Sequence, residues 1–418
     1  MNSSTLAFVT VGNEILSGSV QDANMRYFAL NGKAHGIRIL SYEVVPDDLD
    51  RISSTLKKLI GNVDIVIVSG GLGPTSDDLT REAAGKTFGK KMILNRKELA
   101  RLKEFFEKRG FGFPESNTKQ VTFPDGAKIL INSAGTAPGF AIKKGKTQFC
   151  FLPGVPGEFR AMVDAAVLPL ITRRAKYKVA EKTYKIFGLP ESRIGEMLED
   201  FPISGFEIAF LPDFPEVHVK FSRIIKKDAV ETVLFTDIDK KLNRILGDLI
   251  FGVNGDTLES VAGRLLIRQN KTLSVAESIT GGLIGEKITR VAGSSRYFIQ
   301  SLVCYSNDSK IRLLGVKEDT LRKSGAVSRQ AAIEMANGVR QHSGADVGIS
   351  VTGIAGPSGG SAEKPAGTVF IGISGGNIES AQHYVFAGMP RDKVRALTAT
   401  TALDLLRRFL IMAAPFNG

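Results

Sequence analysis

Cysteine and histidine are both scarce in this sequence of 418 residues, which contains two cysteines and four histidines. Cys150 and Cys304 lie far apart, each within an apolar run. This spacing excludes a disulfide framework and a cysteine-based metal site, and it is typical of buried thiols in a reducing compartment. The sequence also lacks an apolar run of the ~20 residues that cross a bilayer, and its first residues lack the features of a signal peptide. We therefore expect a cytoplasmic protein with no membrane partner.

Acidic residues are outnumbered by basic ones, 43 to 55, which gives a formal net charge of +12. The basic residues are scattered, and the longest clusters span residues 173–178 and 223–227. A protein that handles anionic nucleotides would have the same balance, and no aromatic motif for base stacking accompanies the charge. The charge therefore permits nucleic-acid binding but does not require it, and nucleic acid is not the expected partner.

Alternating strand and helix patterns predict three successive domains. Residues 1–175 alternate between β-branched apolar runs and segments with helical spacing, which predicts a layered α/β domain around a parallel sheet. Residues 176–252 follow the basic cluster and predict a small α+β domain with a long helix over 227–246. Its element order resembles a KH module, but the segment GLPESRIG lacks the GxxG loop that clamps a nucleic-acid backbone. Residues 253–418 again predict an α/β domain. The predicted fold class is α/β, with two three-layer α/β/α domains joined by a small KH-like α+β domain.

A glycine-rich segment, VSGGLGPTSDD, ends an apolar strand of the first domain. It carries three glycines, a threonine and two adjacent carboxylates: Gly70, Gly71, Gly73, Thr75, Asp77 and Asp78. Glycines let backbone N–H groups close around an anion, and the following helix N-terminus favours negative charge. Two adjacent carboxylates can hold a divalent cation that bridges a pyrophosphate. The alternative is a tight structural loop with Asp77 as the helix N-cap. Four further polar loops adjoin strands, at residues 12–18, 21–24, 132–139 and 152–158, and this clustering favours anion binding.

The segment VAESITGG, residues 275–282, joins a short apolar strand to a helical pattern through a turn of small polar residues. Such a turn could cradle a phosphate, or it could present Ser278 as a nucleophile at a helix N-terminus. A serine nucleophile needs a base, and His342 and His383 lie outside the polar loops, which disfavours a Ser-His-Asp triad. Lys310 follows a buried-looking strand that ends at Tyr305, and it can act as the base if burial lowers its pKa. The alternative is that Ser278 is only an N-cap and Lys310 a solvated helix residue.

Taken in order, nine segments of the chain closely resemble the competence/damage-inducible CinA family: GNEILSG, GGLGPTSDDLT, GTAPGF, LPGVPGE, AESITGG, AGSS, YSN..K, GAVS and TGIAGPSGG. The resemblance covers nearly the whole chain. It implies an N-terminal domain similar to molybdopterin-binding domains, which in this family is associated with metal-dependent ADP-ribose pyrophosphatase activity. It implies a C-terminal domain similar to nicotinamide mononucleotide (NMN) amidohydrolase, which releases ammonia and nicotinic acid mononucleotide. The cofactor implied is a divalent metal (Mg, Mn or Co) for the first activity and none for the second, and a homodimer is expected.

The same resemblance assigns roles to individual residues. The catalytic residues it implies for the deamidase are Ser278, Lys310, Tyr305, Ser295 and Thr352. The substrate-binding residues it implies in that domain are Thr280, Gly281, Gly282, Gly353, Gly356, Arg391 and Arg395. In the N-terminal domain the nucleotide-binding residues are Gly70, Gly71, Gly73, Thr75, Asn24 and Gly135, and the metal ligands are Asp77 and Asp78. Ile279 stands where many relatives have cysteine and Ser301 where they usually have glycine, and neither change removes a reactive group.

Two other functions stay open from the sequence. The N-terminal loops could bind molybdopterin or a nucleotide without cleaving it, and metal-dependent turnover of ADP-ribose would decide this. The protein could also be an accessory factor in DNA uptake, as the family name suggests, and a salt-dependent slope of nucleic-acid binding would decide that. The changes of element pattern near residues 175 and 250 further predict that residues 254–418 fold and act alone.

Overall fold

The computed structural model describes residues 4–172, 177–201, 204–231 and 233–412. The chain divides into two compact units, one of residues 1–180 and 223–231 and the other of residues 181–222 and 232–418. The first domain boundary predicted from the sequence, at residue 175, lies outside the described residues. The predicted α/β class, with a small α+β module between two larger α/β domains, is confirmed.

The described residues of the N-terminal domain form eight strands, six of which make up one sheet. Its strands are β1 (Ser4–Val11), β2 (Ile37–Val45), β3 (Ile65–Ser69), β4 (Met92–Leu94), β5 (Thr122–Pro124), β6 (Lys128–Leu130), β7 (Gly139–Lys144) and β8 (Thr147–Leu152). Its helices are α1 (Asn13–Leu16), α2 (Ala23–Ala34), α3 (Leu49–Leu59), α4 (Thr80–Phe88), α5 (Arg96–Glu107), α6 (Pro156–Met162) and α7 (Leu168–Thr172). The sheet order is β2-β1-β3-β8-β7-β6, and β4 and β5 form a separate antiparallel ribbon.

This sheet is mixed and not parallel, which corrects the sequence prediction. The strands β2, β1, β3 and β8 run parallel, but β7 pairs antiparallel with β8 and with β6. The reason is the short turn after β7, where Gly145 has φ of 58° and the chain returns as a hairpin without a crossover helix. Along β3, Val66 and Val68 face one core while Ile65 and Ile67 face the other. The three layers predicted for this domain are therefore present.

The described residues of the middle module form one sheet and two α-helices. Its elements are β9 (Tyr177–Ile186), α8 (Glu191–Met197), β10 (Glu207–Asp213), β11 (Glu216–Lys226), α9 (Thr236–Leu246) and β12 (Ile250–Val253). The sheet order is β10-β11-β9-β12. The helix predicted over 227–246 is wrong in its first half. The strand β11 runs on to Lys226, and a turn closed by a hydrogen bond from Ala229 N to Lys226 O follows it.

The C-terminal domain has a five-stranded sheet. Its strands are β13 (Leu273–Glu277), β14 (Phe298–Val303), β15 (Val347–Gly353), β16 (Thr368–Gly375) and β17 (Ile378–Val385). Its helices are α10 (Leu258–Arg268), α11 (Leu283–Thr289), α12 (Asn307–Leu314), α13 (Glu318–Ser324), α14 (Arg329–Ser343) and α15 (Arg391–Met412). The strand order is β14-β13-β15-β16-β17. The strands β14, β13 and β15 run parallel, whereas β16 pairs antiparallel with β15 and β17 pairs antiparallel with β16. The polar loops after β13, β14 and β15 therefore meet at one edge of the sheet.

The core of the C-terminal domain extends into the middle module. Phe187 and Phe251 of that module are buried in the same cluster as Leu258 and Leu406. A second, smaller cluster on the other face of the sheet includes Met335 of α14. The domain therefore has the three layers predicted for it, and two of its core side chains come from residues before 254.

Candidate active site

Ser278 lies in the turn between β13 and α11, at the edge where three parallel strands end. The turn is tight because Gly281 and Gly282 have φ of 61° and 98°, a conformation that favours glycine. The backbone N–H of Ser278 donates to Val351 O of β15 at 3.0 Å. The helix begins at Leu283 with Gly282 in the N-cap position, so the alternative that Ser278 is an N-cap is wrong.

Lys310 points its amine at Ser278, with 3.1 Å between Nζ and Oγ. It lies in the first turn of α12, where side chains lean back toward the helix N-terminus. The same amine donates to Cys304 O at 2.8 Å and to Tyr305 O at 3.1 Å. Lys310 is 1% exposed and Ser278 is 8% exposed. The alternative of a solvated lysine is therefore wrong.

The environment of Lys310 lowers the pKa of its amine. Burial lowers the pKa of this amine below its ordinary value of 10.5, because the charged form loses its hydration. Its hydrogen-bond partners are two backbone carbonyls and one hydroxyl, and no carboxylate in the described ranges lies within ion-pair distance of it. A lysine in this state gives up its proton more readily than a solvated one. It can then accept the hydroxyl proton of Ser278, which is the arrangement that a serine nucleophile and its base require.

Ser278 and Lys310 line a cleft of about 290 Å³. The loops after β14 and β15 supply much of the remaining lining, and the start of α15 supplies Arg391. Among the described residues that line the cleft there is no aspartate or glutamate, and Lys310 and Arg391 are the basic side chains. A concave site with this lining suits a small anionic ligand.

Tyr305 connects the two basic side chains of the cleft. Its carbonyl accepts from Lys310, and its hydroxyl accepts from Arg391 Nη2 at 3.2 Å. The other terminal nitrogen of Arg391 donates to Gly356 O at 3.1 Å. The guanidinium group therefore lies about one tyrosine side-chain length from the Ser278–Lys310 pair, and its partners are neutral oxygens.

The structure brings seven of the residues predicted for this domain to the cleft: Ser278, Tyr305, Lys310, Thr352, Gly353, Gly356 and Arg391. The hydroxyl of Thr352 donates to Ala326 O at 2.8 Å, which fixes that side chain on the cleft wall.

Four predicted substrate-binding residues lie behind the turn and not in the cleft. Arg395 Nη2 donates to Thr280 O at 2.7 Å. The hydroxyl of Thr280 and the N–H of Gly282 donate to the carboxylate of Glu277, at 2.6 and 2.9 Å. We therefore assign Thr280, Gly281, Gly282 and Arg395 to holding the turn.

Ser295, which the resemblance implies as catalytic, is remote from the other four. It is exposed in a short 3-10 helix, Ser294–Arg296, just before β14. Because β13 and β14 run parallel, the start of β14 lies at the sheet edge opposite Ser278. Within one chain Ser295 therefore does not contribute to the cleft, and its catalytic role stays a prediction, as does the homodimer.

Sequence reasoning missed three residues at this site. Asn307 and Ser358 line the cleft. They belong to the segments YSN..K and TGIAGPSGG, but neither is predicted from the sequence as a site residue. Glu277 lies fully buried beneath the turn. Its position at the end of an apolar strand could have indicated this role, because a carboxylate buried there needs several hydrogen-bond donors.

Asp78 closes the glycine-rich loop of the N-terminal domain on itself. Its carboxylate accepts from Gly73 N at 2.8 Å and from Thr75 N at 2.9 Å, and the Thr75 hydroxyl also donates to it. The N-cap position of α4 is Leu79, so the alternative that Asp77 is the N-cap is wrong. Asp77 is exposed at the surface of the loop.

Arg81 links this loop to a second predicted ligand loop, residues 132–139. Its guanidinium donates to Leu72 O at 2.8 Å and to Pro138 O at 3.3 Å. Complete burial lowers the pKa of Arg81 to about 10 by desolvation. The two loops are therefore held together by a buried cation, which the sequence pattern did not indicate.

The other two predicted residues of this domain make structural contacts. Asn24 is buried, and its Nδ2 donates to Ser69 Oγ at 3.0 Å and to Gly154 O at 2.7 Å. A Cβ at Gly135 would lie 2.1 Å from the carboxyl carbon of Glu158, so a larger residue there would displace the Glu158 carboxylate. Contact of either residue with a nucleotide stays a prediction.

Carboxylates gather at this end of the first sheet. Burial, and then the charges of Glu14, Asp77 and Asp78, raise the pKa of Asp47. In the part of the chain that the structure describes, no group of three or more His, Cys, Asp or Glu side chains is arranged to hold a metal ion. One or two carboxylates nevertheless suit Mg²⁺, which takes its other ligands from water and substrate phosphates. Binding of a metal by Asp77 and Asp78, shared with a bound nucleotide, stays a prediction.

Membrane-spanning helices are not found: no helix in the described ranges has both the length and the apolar character to cross a bilayer.

Three family models match successive parts of the chain. A probable molybdopterin binding domain matches residues 7–173, the KH domain of damage-inducible protein CinA matches residues 181–252, and the CinA C-terminal domain matches residues 255–410.

Relatives in sequence match over nearly the full length. A CinA-like protein of Geotalea uraniireducens is 38% identical over 410 residues, which are 97% of this chain and 97% of the relative. A CinA-like protein of Geobacter metallireducens is 40% identical over 409 residues, 97% of this chain and 99% of the relative. Among solved structures, the protein CinA from Thermoplasma acidophilum is 32% identical and covers 41% of this chain and 99% of its own, with a TM-score of 0.38.

Proposed function

The chain belongs to the CinA family, and we propose that its C-terminal domain hydrolyses the carboxamide of NMN to nicotinic acid mononucleotide and ammonia. The observation that carries the proposal is the 3.1 Å contact between Lys310 Nζ and Ser278 Oγ in a cleft lined by no carboxylate of the described residues. A buried lysine beside a serine supplies a base and a nucleophile without a histidine.

In the proposed reaction, Ser278 Oγ attacks the carboxamide carbon while Lys310 takes the hydroxyl proton. The tetrahedral intermediate collapses when Lys310 returns this proton to the amide nitrogen, which leaves as ammonia. A water molecule then attacks the ester on Ser278, with Lys310 again as the base. Nicotinic acid mononucleotide is released and the serine hydroxyl is restored.

The negative oxygen of the tetrahedral intermediate needs hydrogen-bond donors. The N–H of Ser278 does not serve, because it donates to Val351 O. We assign the role to the N–H of Ile279, because this residue lines the cleft and directly follows the nucleophile. The residue after a serine on a strand-to-helix turn has this role in other hydrolases.

The phosphate of NMN is assigned to the Arg391 side of the cleft. The N–H of Gly282, which could have bound it at the start of α11, already donates to Glu277. The guanidinium of Arg391 lines the cleft and donates to neutral oxygens of Tyr305 and Gly356, so its charge can be matched by an anion. The span of Tyr305 between Lys310 and Arg391 separates the reacting amide from the phosphate.

For the N-terminal domain we propose hydrolysis of ADP-ribose to AMP and ribose 5-phosphate. Support comes from the loop at Gly70–Gly73, which Asp78 closes and Arg81 joins to the neighbouring loop. A divalent metal (Mg, Mn or Co) held by Asp77 and the substrate phosphates would neutralise charge at the pyrophosphate. A second candidate is binding without cleavage, which is favoured by the lack of a three-residue metal site among the described residues.

Two assays of the purified full-length protein test these functions. Ammonia release from NMN and AMP formation from ADP-ribose are each measured with and without a chelator. We expect the first activity to survive chelation and the second to be lost. A protein that releases no ammonia from NMN would overturn the deamidase assignment. A protein that leaves ADP-ribose intact with every metal would leave binding as the function of the N-terminal domain.

A further inference from the structure

Glu277 precedes the proposed nucleophile in the chain, and its carboxylate is fully buried. It accepts five hydrogen bonds. The donors to Oε2 are Thr280 Oγ1 at 2.6 Å, Gly282 N at 2.9 Å and Ile284 N at 3.1 Å. The donors to Oε1 are Gly285 N at 2.9 Å and Ser301 Oγ at 2.8 Å.

This set of contacts suits a carboxylate. Both of its oxygens act as acceptors, and three of the donors are backbone N–H groups, which only donate. Hydrogen bonds to a charged acceptor are stronger than those between neutral groups, so five of them compensate for the lost hydration of the carboxylate. The charge is thus balanced by the start of α11 and by two hydroxyls, without a basic side chain.

The backbone around Glu277 connects this carboxylate to the catalytic pair. Glu277 O accepts from Cys304 N at 2.8 Å, and Cys304 O accepts from Lys310 Nζ at 2.8 Å. On the other side, Ser278 N donates to Val351 O at 3.0 Å. The strand end that carries the serine is therefore held to β14 and β15 by its backbone and to α11 by the side chain of Glu277.

The packing at Gly285 indicates how closely α11 is drawn onto the carboxylate. A Cβ at this position would lie 2.9 Å from Ser301 Cβ and 3.5 Å from Glu277 Oε1. The first turn of α11 therefore fits against Glu277 and Ser301 only with a glycine at this position. Three backbone N–H groups that could otherwise bind a ligand anion here, those of Gly282, Ile284 and Gly285, donate to Glu277 instead.

We propose that Glu277 is a positioning residue for the deamidase: its carboxylate replaces a ligand anion beneath the turn and thereby holds Ser278 within reach of Lys310. This inference rests on the proposed function for the identity of the substrate. Because Glu277 does not line the cleft, its loss should lower kcat and leave KM little changed. A misplacement of a nucleophile by about 1 Å costs on the order of 100-fold in rate.

The first test compares Glu277→Gln with a matched control, Glu286→Gln. Glu286 is exposed on the same helix, where it pairs with Arg290. Two rates are measured in the full-length protein: NMN turnover, and labelling of Ser278 by a fluorophosphonate probe followed by mass spectrometry. In the labelling step Ser278 Oγ bonds to phosphorus, fluoride leaves and Lys310 takes the proton. We expect Glu277→Gln to lower both rates on the order of 100-fold and Glu286→Gln to lower neither.

The second test uses formate and Glu277→Ala. The alanine leaves five aligned donors without an acceptor, and formate is a carboxylate small enough to fill the vacated space. Added formate should therefore restore part of the labelling rate of Glu277→Ala. It should not restore Glu277→Gln, in which the amide fills the same space. A residue with a merely structural role would show no such rescue.

The outcomes separate this inference from the choice of substrate. A folded Glu277→Gln variant with the parent's kcat and labelling rate overturns it, as does a folded Glu277→Ala variant that formate does not restore. If the parent is labelled but leaves NMN intact, the labelling rates still decide the role of Glu277, and only the substrate assignment fails. A parent that is not labelled at Ser278 overturns both.

Variants that remove single donors cover the case in which neither Glu277 variant folds. Thermal unfolding identifies that case. Thr280→Val and Ser301→Ala each remove one hydroxyl donor to the carboxylate. A lower labelling rate in folded protein supports the inference, and the parent's rate in both variants overturns it.

Discussion

The amine of Lys310 lies 3.1 Å from the hydroxyl of Ser278 and is almost fully shielded from solvent. The two residues are 32 positions apart in the chain and come together because β13 and β14 are parallel neighbours whose ends meet at one sheet edge. No histidine of the described chain lines the same cleft. Lys310 is therefore the base that we propose for serine chemistry at this site.

Replacement of Lys310 by arginine should lower the kcat for NMN on the order of 100-fold, as should replacement by alanine. Arginine keeps the charge and the length, but it does not give up its proton, so it separates base catalysis from electrostatic support. Ammonia release measures the effect. Lys317→Arg, an exposed lysine of the same domain, is the matched control and should be neutral. A Lys310→Arg variant with near-normal kcat would make Tyr305 the next candidate for the base.

The pH profile of the deamidase should report the lowered pKa of Lys310. The neutral amine is the active form, so kcat/KM should rise with pH as the amine loses its proton. Because burial lowers this pKa, the midpoint of the rise should lie below the ordinary value of 10.5. The residual activity of Lys310→Arg should lack the rise. A midpoint at the ordinary lysine value would contradict a buried base.

Asp77 and Asp78 of the N-terminal loop should have different roles, one in metal binding and the other in stability. Asp78→Asn keeps one acceptor oxygen and therefore loses the acceptor of either Gly73 N or Thr75 N, which should reduce the free energy of unfolding by about 1 kcal/mol. Asp77→Asn should leave stability unchanged and abolish the metal stimulation of ADP-ribose hydrolysis. Thermal unfolding and AMP formation measure the two effects. An Asp77→Asn variant with full metal-stimulated activity would exclude this residue as a metal ligand.

A fragment of residues 254–418 should hydrolyse NMN, because the cleft residues named above all lie between Ser278 and Arg391. It should unfold at a lower temperature than a fragment that begins at residue 177, since Phe187 and Phe251 belong to its core. In the full-length protein, Phe251→Ala should cost about 3 kcal/mol of unfolding free energy. Phe214→Ala, at a half-exposed position of the same module, should cost much less. Equal stability of the two fragments would contradict a shared core.

Much of the candidate site could be predicted from the sequence. The strand before Ser278 and the strand that contains Thr352 are apolar and buried, as predicted. The strand before Tyr305 is an edge strand with no buried residue, so the prediction of a buried strand there is wrong. Parallel strands nevertheless bring their carboxyl ends to one edge. The apolar run before Lys310 indicated its burial, which the structure confirms. The sequence could not decide whether the SITGG turn holds a phosphate. A glycine-rich turn has the same sequence pattern whether its N–H groups donate to a bound anion or to a carboxylate of the chain, and here Gly282 N donates to Glu277.

Strand direction and one helix boundary were the parts of the fold that the sequence did not reveal. An apolar β-branched run has the same pattern in a parallel and an antiparallel pair, so the reversal at Gly145 was missed. Residues 227–235 continue the apolar spacing of α9, but β11 runs on to Lys226, a turn closed by Ala229 N follows it, and α9 begins only at Thr236. Helix propensity is a weak prior that such tertiary context overrides.

The ammonia-release rates of Ser278→Ala, Lys310→Ala and the double variant, measured together with the parent on NMN, test the central claim most directly. If the two side chains act as one nucleophile–base unit, each single variant should lose on the order of 100-fold or more in kcat, and the double variant should be little slower than the slower single variant. Losses that multiply in the double variant would contradict the account, because they would mean that Ser278 and Lys310 contribute to the reaction independently.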